Sequence, residues 1–352
     1  TLAAAAGCSA DITPEDVKVA DYKDGKECAV SLTFDDSMKE HYTIVAPELE
    51  KRGFRGTFWM VGSWMPAVAE ADTTHFTWAE AKEMSDRGHE MSNHTWSHPY
   101  LTMLSDEELL NEIKKNDEAI LANIGKPSTT FCFPYNAFNE KVVAAAMEGR
   151  IGARLKEFWL GGQHSPKEYL QKQVEDALAS GSWITGMTHG INYGYDCYTD
   201  PTEFTDFLDY LKSLEERVWV GTFRDVAAYT AVAKDVKLTV APAEKGIIVT
   251  PVTSLDKTLY ETPLTMEVAT GGKKIKAEQD GKVVAISEFL KEYPELVISI
   301  IGYADRVTGS KPRNMELSKM RSEAVQGLQA LKFLIVLQAL EIMRSTVVPG
   351  LR

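Results

Sequence analysis

The chain has few cysteines, an excess of acidic residues and no long apolar run. Its 352 residues include four cysteines, Cys8, Cys28, Cys132 and Cys197, which lack zinc-site spacing and are too few for a disulfide scaffold. The net charge of −13 argues against nucleic acid or an anionic membrane surface as the main partner. The most apolar run, 331–343, is shorter than the ~20 residues that a membrane-spanning helix needs. A neutral or cationic glycan is compatible with this charge.

The rest of the composition is that of a folded protein. Hydrophobic residues make up 44% and charged residues 25% of the chain, which argues against global disorder. The length suffices for one large domain together with one or two small ones.

Two acidic residues and three histidines carry the chemistry that the sequence predicts. Asp35 and Asp36 are adjacent after a run typical of a buried strand, and successive strand residues point to opposite faces. One carboxylate can therefore bind a metal while the other is free to act as a base. His94 and His98 are separated by three residues, a spacing that lets two imidazoles bind one cation, and His189 supplies a third imidazole. Three protein ligands would leave an open position for water, as in a metal-dependent hydrolase.

Strands and helices alternate along most of the chain, which predicts a parallel sheet or barrel. Thr77 with Glu80 and Ser105 with Glu108 have the spacing of capping boxes, and an amphipathic helix is expected at about 38–52. Strands are expected near 28–34, 56–61, 90–93, 129–133, 152–155, 182–187 and 218–222. The candidate residues Asp35, His94, Tyr135 and His189 all follow predicted strands, so they are expected to meet at one edge of the sheet.

Four short motifs resemble those of a known family in order and approximate spacing. They are TFDD at 33–36, HTWSH at 94–98, FCFPYN at 131–136 and MTH at 187–189. Together they resemble the motifs of the polysaccharide deacetylases, the NodB-homology domains of carbohydrate esterase family 4, over about residues 26–231. The resemblance implies an α/β fold, a distorted (β/α) barrel of the NodB deacetylase type. It also implies a divalent metal, most simply Zn²⁺ with Co²⁺ or Ni²⁺ as alternatives, bound by Asp36, His94 and His98.

The resemblance further implies the roles of the catalytic groups. Asp35 would stay off the metal and take a proton from the attacking water, and the backbone N–H of Tyr135 would stabilise the oxyanion. His189 would protonate the leaving amine. Thr95 and Pro134, inside the second and third motifs, are further candidates for substrate contact or positioning.

The third motif departs from the family pattern at Cys132, where the family has an arginine that holds the catalytic aspartate. A buried carboxylate needs a cation to remain ionised. Arg154, at the end of the next predicted strand, is the nearest arginine in barrel order. We therefore expect its guanidinium to reach Asp35.

The function that the resemblance implies is metal-dependent removal of acetyl groups from an N-acetylated or O-acetylated polysaccharide or oligosaccharide. Candidate substrates are chitin oligomers, peptidoglycan and acetyl xylan. Two alternatives remain open from the sequence. One is an O-acetyl esterase of xylan or another glycan, and the other is a non-catalytic envelope protein that binds glycan on the same fold.

The remaining segments predict further parts of the protein. After the deacetylase-like region, 26–233, alternating residues and turn signals predict a small β module at 234–284. The segment 285–352 resembles part of an outer-membrane-protein-A-like peptidoglycan-binding domain, which would make a partial α+β tail. By that resemblance, Asp305 and Arg321 would hold the diaminopimelate of the peptide stem.

The first segment, 1–25, resembles at its start the end of a bacterial lipoprotein signal, with small residues before Cys8. This interpretation predicts a protein of the cell envelope or a secreted protein, lipid-anchored at Cys8. The alternative is a plain alanine-rich terminus.

Overall fold

The computed structural model describes residues 2–4, 17–69, 71–162, 165–243 and 246–268. Lys26–Ala228 form one compact unit, and the described residues of Thr1–Gly25 and Tyr229–Arg352 belong to a second. The predicted tail at 285–352 with Asp305 and Arg321, and the predicted lipidation site Cys8, lie outside the described residues.

Strands and helices alternate in the first unit as the sequence predicts. The strands of the chain are β1 Leu2–Ala4, β2 Val17–Val19, β3 Cys28–Asp35, β4 Thr57–Met60, β5 Glu90–Asn93, β6 Thr130–Cys132, β7 Gly152–Arg154, β8 Phe158–Trp159, β9 Trp183–Thr188, β10 Val218–Val220, β11 Lys237–Ala243, β12 Gly246–Val252 and β13 Met266–Val268. The α-helices are α1 Ala46–Lys51, α2 Trp78–Asp86, α3 Asp106–Ile124, α4 Glu140–Met147, α5 Lys167–Ser180, α6 Thr202–Ser213 and α7 Phe223–Asp235.

A curled parallel sheet forms the centre of Lys26–Ala228. Its strand order is β7-β6-β5-β4-β3-β9-β8, with β10 beside the first half of β3. All of these pairings are parallel. The predicted α/β fold with a barrel-like parallel sheet is confirmed. Strand β8 was not predicted, because two residues are too few to show any periodicity.

Strand β3 lies in the middle of the sheet, and each of its residues is buried. Apolar Val30, Leu32 and Phe34 alternate along β3 with polar residues, and the polar residues are buried as well because the sheet is covered on both faces. Phe34 stacks on Phe58 of β4 with ring centroids 5.2 Å apart, and the edge of Phe204 from α6 packs against the Phe34 ring. This packing fixes the end of β3, where Asp35 lies.

The helix starts follow from local hydrogen bonds. Both predicted capping boxes are present, at Thr77 with Glu80 and at Ser105 with Glu108. The helix expected at 38–52 contains a π-helical turn, His41–Val45, directly before α1. Pro47 in the first turn of α1 has no N–H to continue a regular hydrogen-bond ladder, which accounts for the irregular turn that precedes it.

The second unit contains short antiparallel strands. Strands β11 and β12 form a hairpin, β1 pairs with the other edge of β12, and β13 pairs with β2. The sequence did not predict β1 and β2, because three residues are too few to show alternation. The limits of the predicted domains, 26–233, 234–284 and 285–352, stay predictions.

Two further findings concern the described residues. Cys28, Cys132 and Cys197 are free thiols. Among the described helices, none combines the length and the apolar character that crossing a membrane requires.

The network around Asn116 provides a test of the fold. Asn116 of α3 is fully buried, and its Nδ2 donates to Met60 O at 2.7 Å and to Asn93 Oδ1 at 3.0 Å. We expect Asn116→Ala to lower the free energy of unfolding by about 1–3 kcal/mol, because it removes hydrogen bonds to buried acceptors. Urea denaturation measures the change.

Asn123 on the same helix is the matched control, since it is exposed and donates only to Ala119 O of its own helix. Asn123→Ala should change the free energy of unfolding by at most about 0.5 kcal/mol. Equal losses in the two variants would contradict a special role for the Asn116 network.

Candidate active site

Polar side chains from several strands meet at the C-terminal edge of the sheet. Asp35 is the last residue of β3, His94 follows β5, and Cys132 and Arg154 end β6 and β7. His189 follows β9. The carboxyl ends of parallel strands lie at one edge of a sheet, so residues distant in sequence become neighbours there.

Asp35 and Arg154 form a buried ion pair. Nη1 of Arg154 lies 2.7 Å from Oδ1 of Asp35, and Nη2 lies 2.5 Å from Oδ2. Nη1 also donates to Thr33 Oγ1 at 2.8 Å. Burial by itself would raise the pKa of Asp35, but the charge and hydrogen bonds of Arg154 hold that pKa well below its usual range. The Asp35 carboxylate is therefore ionised and held by two parallel hydrogen bonds, in the position that the sequence predicts for Arg154.

Asp36, His94 and His98 form a compact set of metal-ligand atoms. Asp36 Oδ1 lies 3.5 Å from His94 Nε2 and 3.4 Å from His98 Nε2, and the two Nε2 atoms are 3.2 Å apart. Zinc bonds of about 2.0–2.1 Å in a tetrahedron place ligand atoms about 3.3–3.4 Å apart. The three separations fit one small cation between these atoms.

The electrostatics of the three groups also suit a cation. Asp36 Oδ1 is buried and has no hydrogen-bond partner in the described part of the chain, and burial raises the pKa of Asp36 to about 6. Burial lowers the pKa of His94 to about 3 and that of His98 to about 4, so both imidazoles are neutral. Nδ1 of His94 donates to Cys132 O at 2.9 Å, which leaves the Nε2 lone pair for a metal.

A second possible ligand set shares His94 but is less suitable. Asp35, His94 and Cys132 also bring ligand atoms close together. However, Arg154 already hydrogen-bonds both Asp35 oxygens, and its positive charge would repel a cation placed there. Burial and the nearby carboxylates raise the pKa of the Cys132 thiol, although Arg154 opposes this, so a thiolate is disfavoured. The set with Asp36 is the one that fits a metal.

His189 faces the metal-ligand set from the end of β9. Its Nε2 is 3.6 Å from Asp36 Oδ2, and its Nδ1 is 3.1 Å from Asp196 Oδ1. Asp196 Oδ1 also accepts the backbone N–H of His189 at 2.8 Å. Burial would lower the pKa of His189, but the neighbouring Asp196 and Asp35 raise it to about 9. The imidazole can therefore carry a proton at neutral pH.

The other predicted site residues lie in the turns around this cluster. The ring of Tyr135 packs edge-on to His98, with centroids 4.5 Å apart, and stacks on Tyr100 at 4.0 Å. Pro134 is buried. Thr95 is fully buried, and its Oγ1 accepts the backbone N–H of His98 at 3.0 Å. Thr95 therefore orients the second motif.

These turns have an unusual backbone conformation. Seven residues other than glycine in the described part of the chain have positive φ, and six of them lie at the site: Asp36, Ser37, Thr95, His98, Tyr135 and Asn136. Left-handed conformations are strained for such residues and collect at functional sites.

Residues 22–151 match the family model described as polysaccharide deacetylase. Peptidoglycan-N-acetylglucosamine deacetylase PgdA of Listeria monocytogenes is 31% identical over 131 residues, which are 37% of this chain and 26% of that protein. Chitin deacetylase 1 of Cryptococcus neoformans var. grubii is 32% identical over 117 residues, 33% of this chain and 23% of that protein. The matched part of the chain spans about a quarter of the length of these relatives.

A solved structure shows a weaker likeness to the chain. The structure of peptidoglycan deacetylase PdaC from Bacillus subtilis aligns with 58% of this chain and 92% of its own, with a TM-score of 0.44 and 20% sequence identity.

Sequence reasoning missed Asp196, which lies 3.1 Å from His189. It lies in a loop without periodicity, and nothing in its immediate sequence marks it as a partner of His189. A search for the carboxylate that orients the histidine could have pointed to it, since a functional imidazole is usually held by a carboxylate or carbonyl through its second nitrogen.

The Asp35–Arg154 pair makes a testable prediction about stability. Arg154→Met should destabilise the metal-free protein by about 3–5 kcal/mol near neutral pH, because the Asp35 carboxylate is left buried without its cation. The depressed pKa of Asp35 stabilises the fold above the unfolded-state pKa of about 3.9, and this contribution is lost as the pH falls through the folded-state value. The difference between wild type and variant should therefore shrink in acid, as urea denaturation across the pH range would show.

Arg217→Met is the control, because Arg217 pairs with Glu27 at 2.6 Å but both side chains are about half exposed, at 51% and 48%. Its effect should not exceed about 1 kcal/mol. Arg154→Met with a similarly small effect at every pH would contradict the assignment of a buried, ionised pair.

Proposed function

We propose that the chain is a metal-dependent hydrolase that removes acetyl groups from N-acetylated polysaccharides or oligosaccharides. One observation carries the proposal: three groups with different chemistry meet at one edge of the sheet. They are an ionised carboxylate held by Arg154, a ligand set of metal-binding size, and an imidazole with a raised pKa. Together these groups can carry out metal-assisted hydrolysis of an amide.

The cation would supply the electrophilic part of the chemistry. A divalent ion, most simply Zn²⁺ and alternatively Co²⁺ or Ni²⁺, held by Asp36, His94 and His98 would polarise the acetyl carbonyl and lower the pKa of water. The unpartnered Oδ1 of Asp36 and the neutral imidazoles support this assignment.

The residues of the chain would move the protons. Asp35, kept ionised by Arg154, would take the proton of the attacking water. The backbone N–H of Tyr135 would donate to the developing oxyanion, by resemblance to the family. His189 would then give its proton to the leaving nitrogen, since an amine with a high pKa cannot leave as an anion. The products are acetate and a free amino sugar.

The rim of the site suits a sugar chain. Tyr100 and Tyr135 form a stacked pair that is 53% and 54% exposed, and Tyr195, which is 87% exposed, lies beside His189 on the other side. Exposed aromatic faces with polar hydroxyl groups suit partners that are partly apolar and partly hydroxylated, as pyranose rings are. The net charge of −13 favours a neutral or cationic glycan. We also place the protein in the cell envelope or outside the cell, where acetylated glycans of this kind occur.

An acetate-release assay tests the proposed reaction. We expect release from chitin oligomers or peptidoglycan, loss of release in a chelator, and recovery when metal is restored. Asp35→Asn should keep the metal but lower the turnover number by about 10²–10⁴-fold, because it removes only the base.

The same assay separates the alternatives. Release from acetyl xylan alone would show an O-acetyl esterase. Bound metal with no acetate release from any of these substrates would contradict the enzymatic proposal and favour a glycan-binding protein.

The metal assignment makes its own prediction. His98→Ala should abolish stoichiometric metal binding, measured by elemental analysis of the purified protein, because it removes one of three ligands. His75→Ala is the control, since His75 pairs with Asp72 outside the ligand set and should keep the metal. A His98→Ala variant with full metal content would show that the site is wrongly assigned.

A further inference from the structure

The backbone of the loop that carries His189 is held by a segment distant in sequence. The side chain of His189 is oriented by Asp196, but its main chain lies beyond the end of β9, where the sheet provides no further hydrogen bonds. Two consecutive residues, Glu40 and His41, provide hydrogen bonds to this loop. Both follow shortly after Asp36 in the sequence.

Glu40 binds the loop through both carboxylate oxygens. Its Oε2 accepts the backbone N–H of Ile191 at 2.7 Å and that of Asn192 at 2.8 Å. Its Oε1 accepts from Nδ2 of Asn192 at 2.5 Å. Glu40 is buried and forms no ion pair within the described ranges. Burying a carboxylate is costly unless hydrogen bonds satisfy it, and these three hydrogen bonds all come from the loop after His189.

His41 holds the same loop at His189 itself. Its Nε2 donates to His189 O at 2.6 Å. The ring is fully buried among Phe34, Phe58 and Phe76, with centroid separations of 5.7, 5.4 and 5.9 Å. Burial lowers the pKa of His41 to about 4, so the ring is neutral and donates through a fixed tautomer.

We infer that Glu40 and His41 are positioning residues, which set the place of His189 relative to Asp36 and to the substrate nitrogen. The inference rests on the proposed function. The residues that follow Asp35 and Asp36 in the chain hydrogen-bond the loop that carries His189, so the proposed acid is tied to the segment that carries the proposed base and metal ligand. The separation of 3.6 Å between His189 Nε2 and Asp36 Oδ2 is then fixed from both sides. A displacement of about 1 Å at such a group can cost about 10²-fold in rate.

The test uses two acetyl substrates that differ in their need for an acid. An N-acetylglucosamine oligomer must receive a proton on nitrogen, whereas an activated aryl acetate releases a phenolate that needs none. Glu40→Ala should lower kcat on the oligomer by about 10²-fold with KM nearly unchanged, and should leave aryl acetate hydrolysis within about twofold. Glu40→Gln should recover part of the rate, because its amide oxygen can still accept the two backbone N–H groups.

Controls separate positioning from folding. Glu80→Ala removes a carboxylate that accepts from Thr77 N and pairs with Lys39, away from the His189 loop, and should lower the melting temperature without the substrate-dependent loss. The side chain of Asn192 is exposed, and Asn192→Ala removes only its one hydrogen bond to Glu40. This variant replaces Glu40→Ala in the test if Glu40→Ala does not fold. It should reduce the oligomer rate and spare the aryl acetate. All variants should retain full metal content.

The possible failures are distinguishable. Equal losses on both substrates, or no loss on either, would overturn the inference. If His189→Ala loses oligomer activity while Glu40→Ala and Asn192→Ala keep it, the inference fails and the proposed function stands. Wild-type protein that releases no acetate from the oligomer would overturn both.

Discussion

The site depends on how the negative charges of two adjacent carboxylates are balanced, because each carboxylate needs a different partner. Asp35 and Asp36 leave the same buried strand, and two negative charges there cannot both persist without partners. Arg154 compensates Asp35 through two hydrogen bonds, which keeps that group ionised and unavailable to a metal. Asp36 has no such partner, faces two neutral imidazoles and is left with a buried oxygen that a cation would satisfy. A single strand end thus provides two carboxylates with different chemistry.

The same arrangement allows an acid and a base to coexist at one pH. Asp35 is held in its charged form by Arg154, while Asp196 and Asp35 favour the protonated form of His189. Environments that push two pKa values apart are what acid–base catalysis needs, since one group must start without its proton and the other with it. Arg154 is the counter-charge of Asp35, and Asp196 is the counter-charge of protonated His189.

Much of the fold and most of the polar cluster could be predicted from the sequence, for identifiable reasons. Strand β3 has an apolar residue at every second position and ends at Asp35, and such a pattern is visible without a structure. Arg154 could be predicted because β6 and β7 are adjacent, and Cys132 and Arg154 are in fact paired in register. The contacts of the His189 loop could not be predicted, because they depend on the geometry of a loop, which has no periodic pattern. They involve Asp196, Glu40 and the carbonyl of His189. The two-residue strand β8 and the three-residue strands β1 and β2 are too short for any pattern.

The residues with positive φ at the site cost stability, which would matter if the site were no longer needed. Each such residue costs of order 1–3 kcal/mol relative to a relaxed backbone, and six of them occur in the turns after β3, β5 and β6. Their sum is comparable to the net stability of a typical domain, about 5–15 kcal/mol, so the buried sheet must supply the difference. Exchanging Ser37 or Thr95 for glycine would relax the backbone, but it would also remove the hydrogen bond that each hydroxyl accepts, from the backbone N–H of Val61 and of His98 respectively. In the turns that carry the proposed metal ligands, stability and activity therefore compete. Substitutions that relax the backbone would be expected there first.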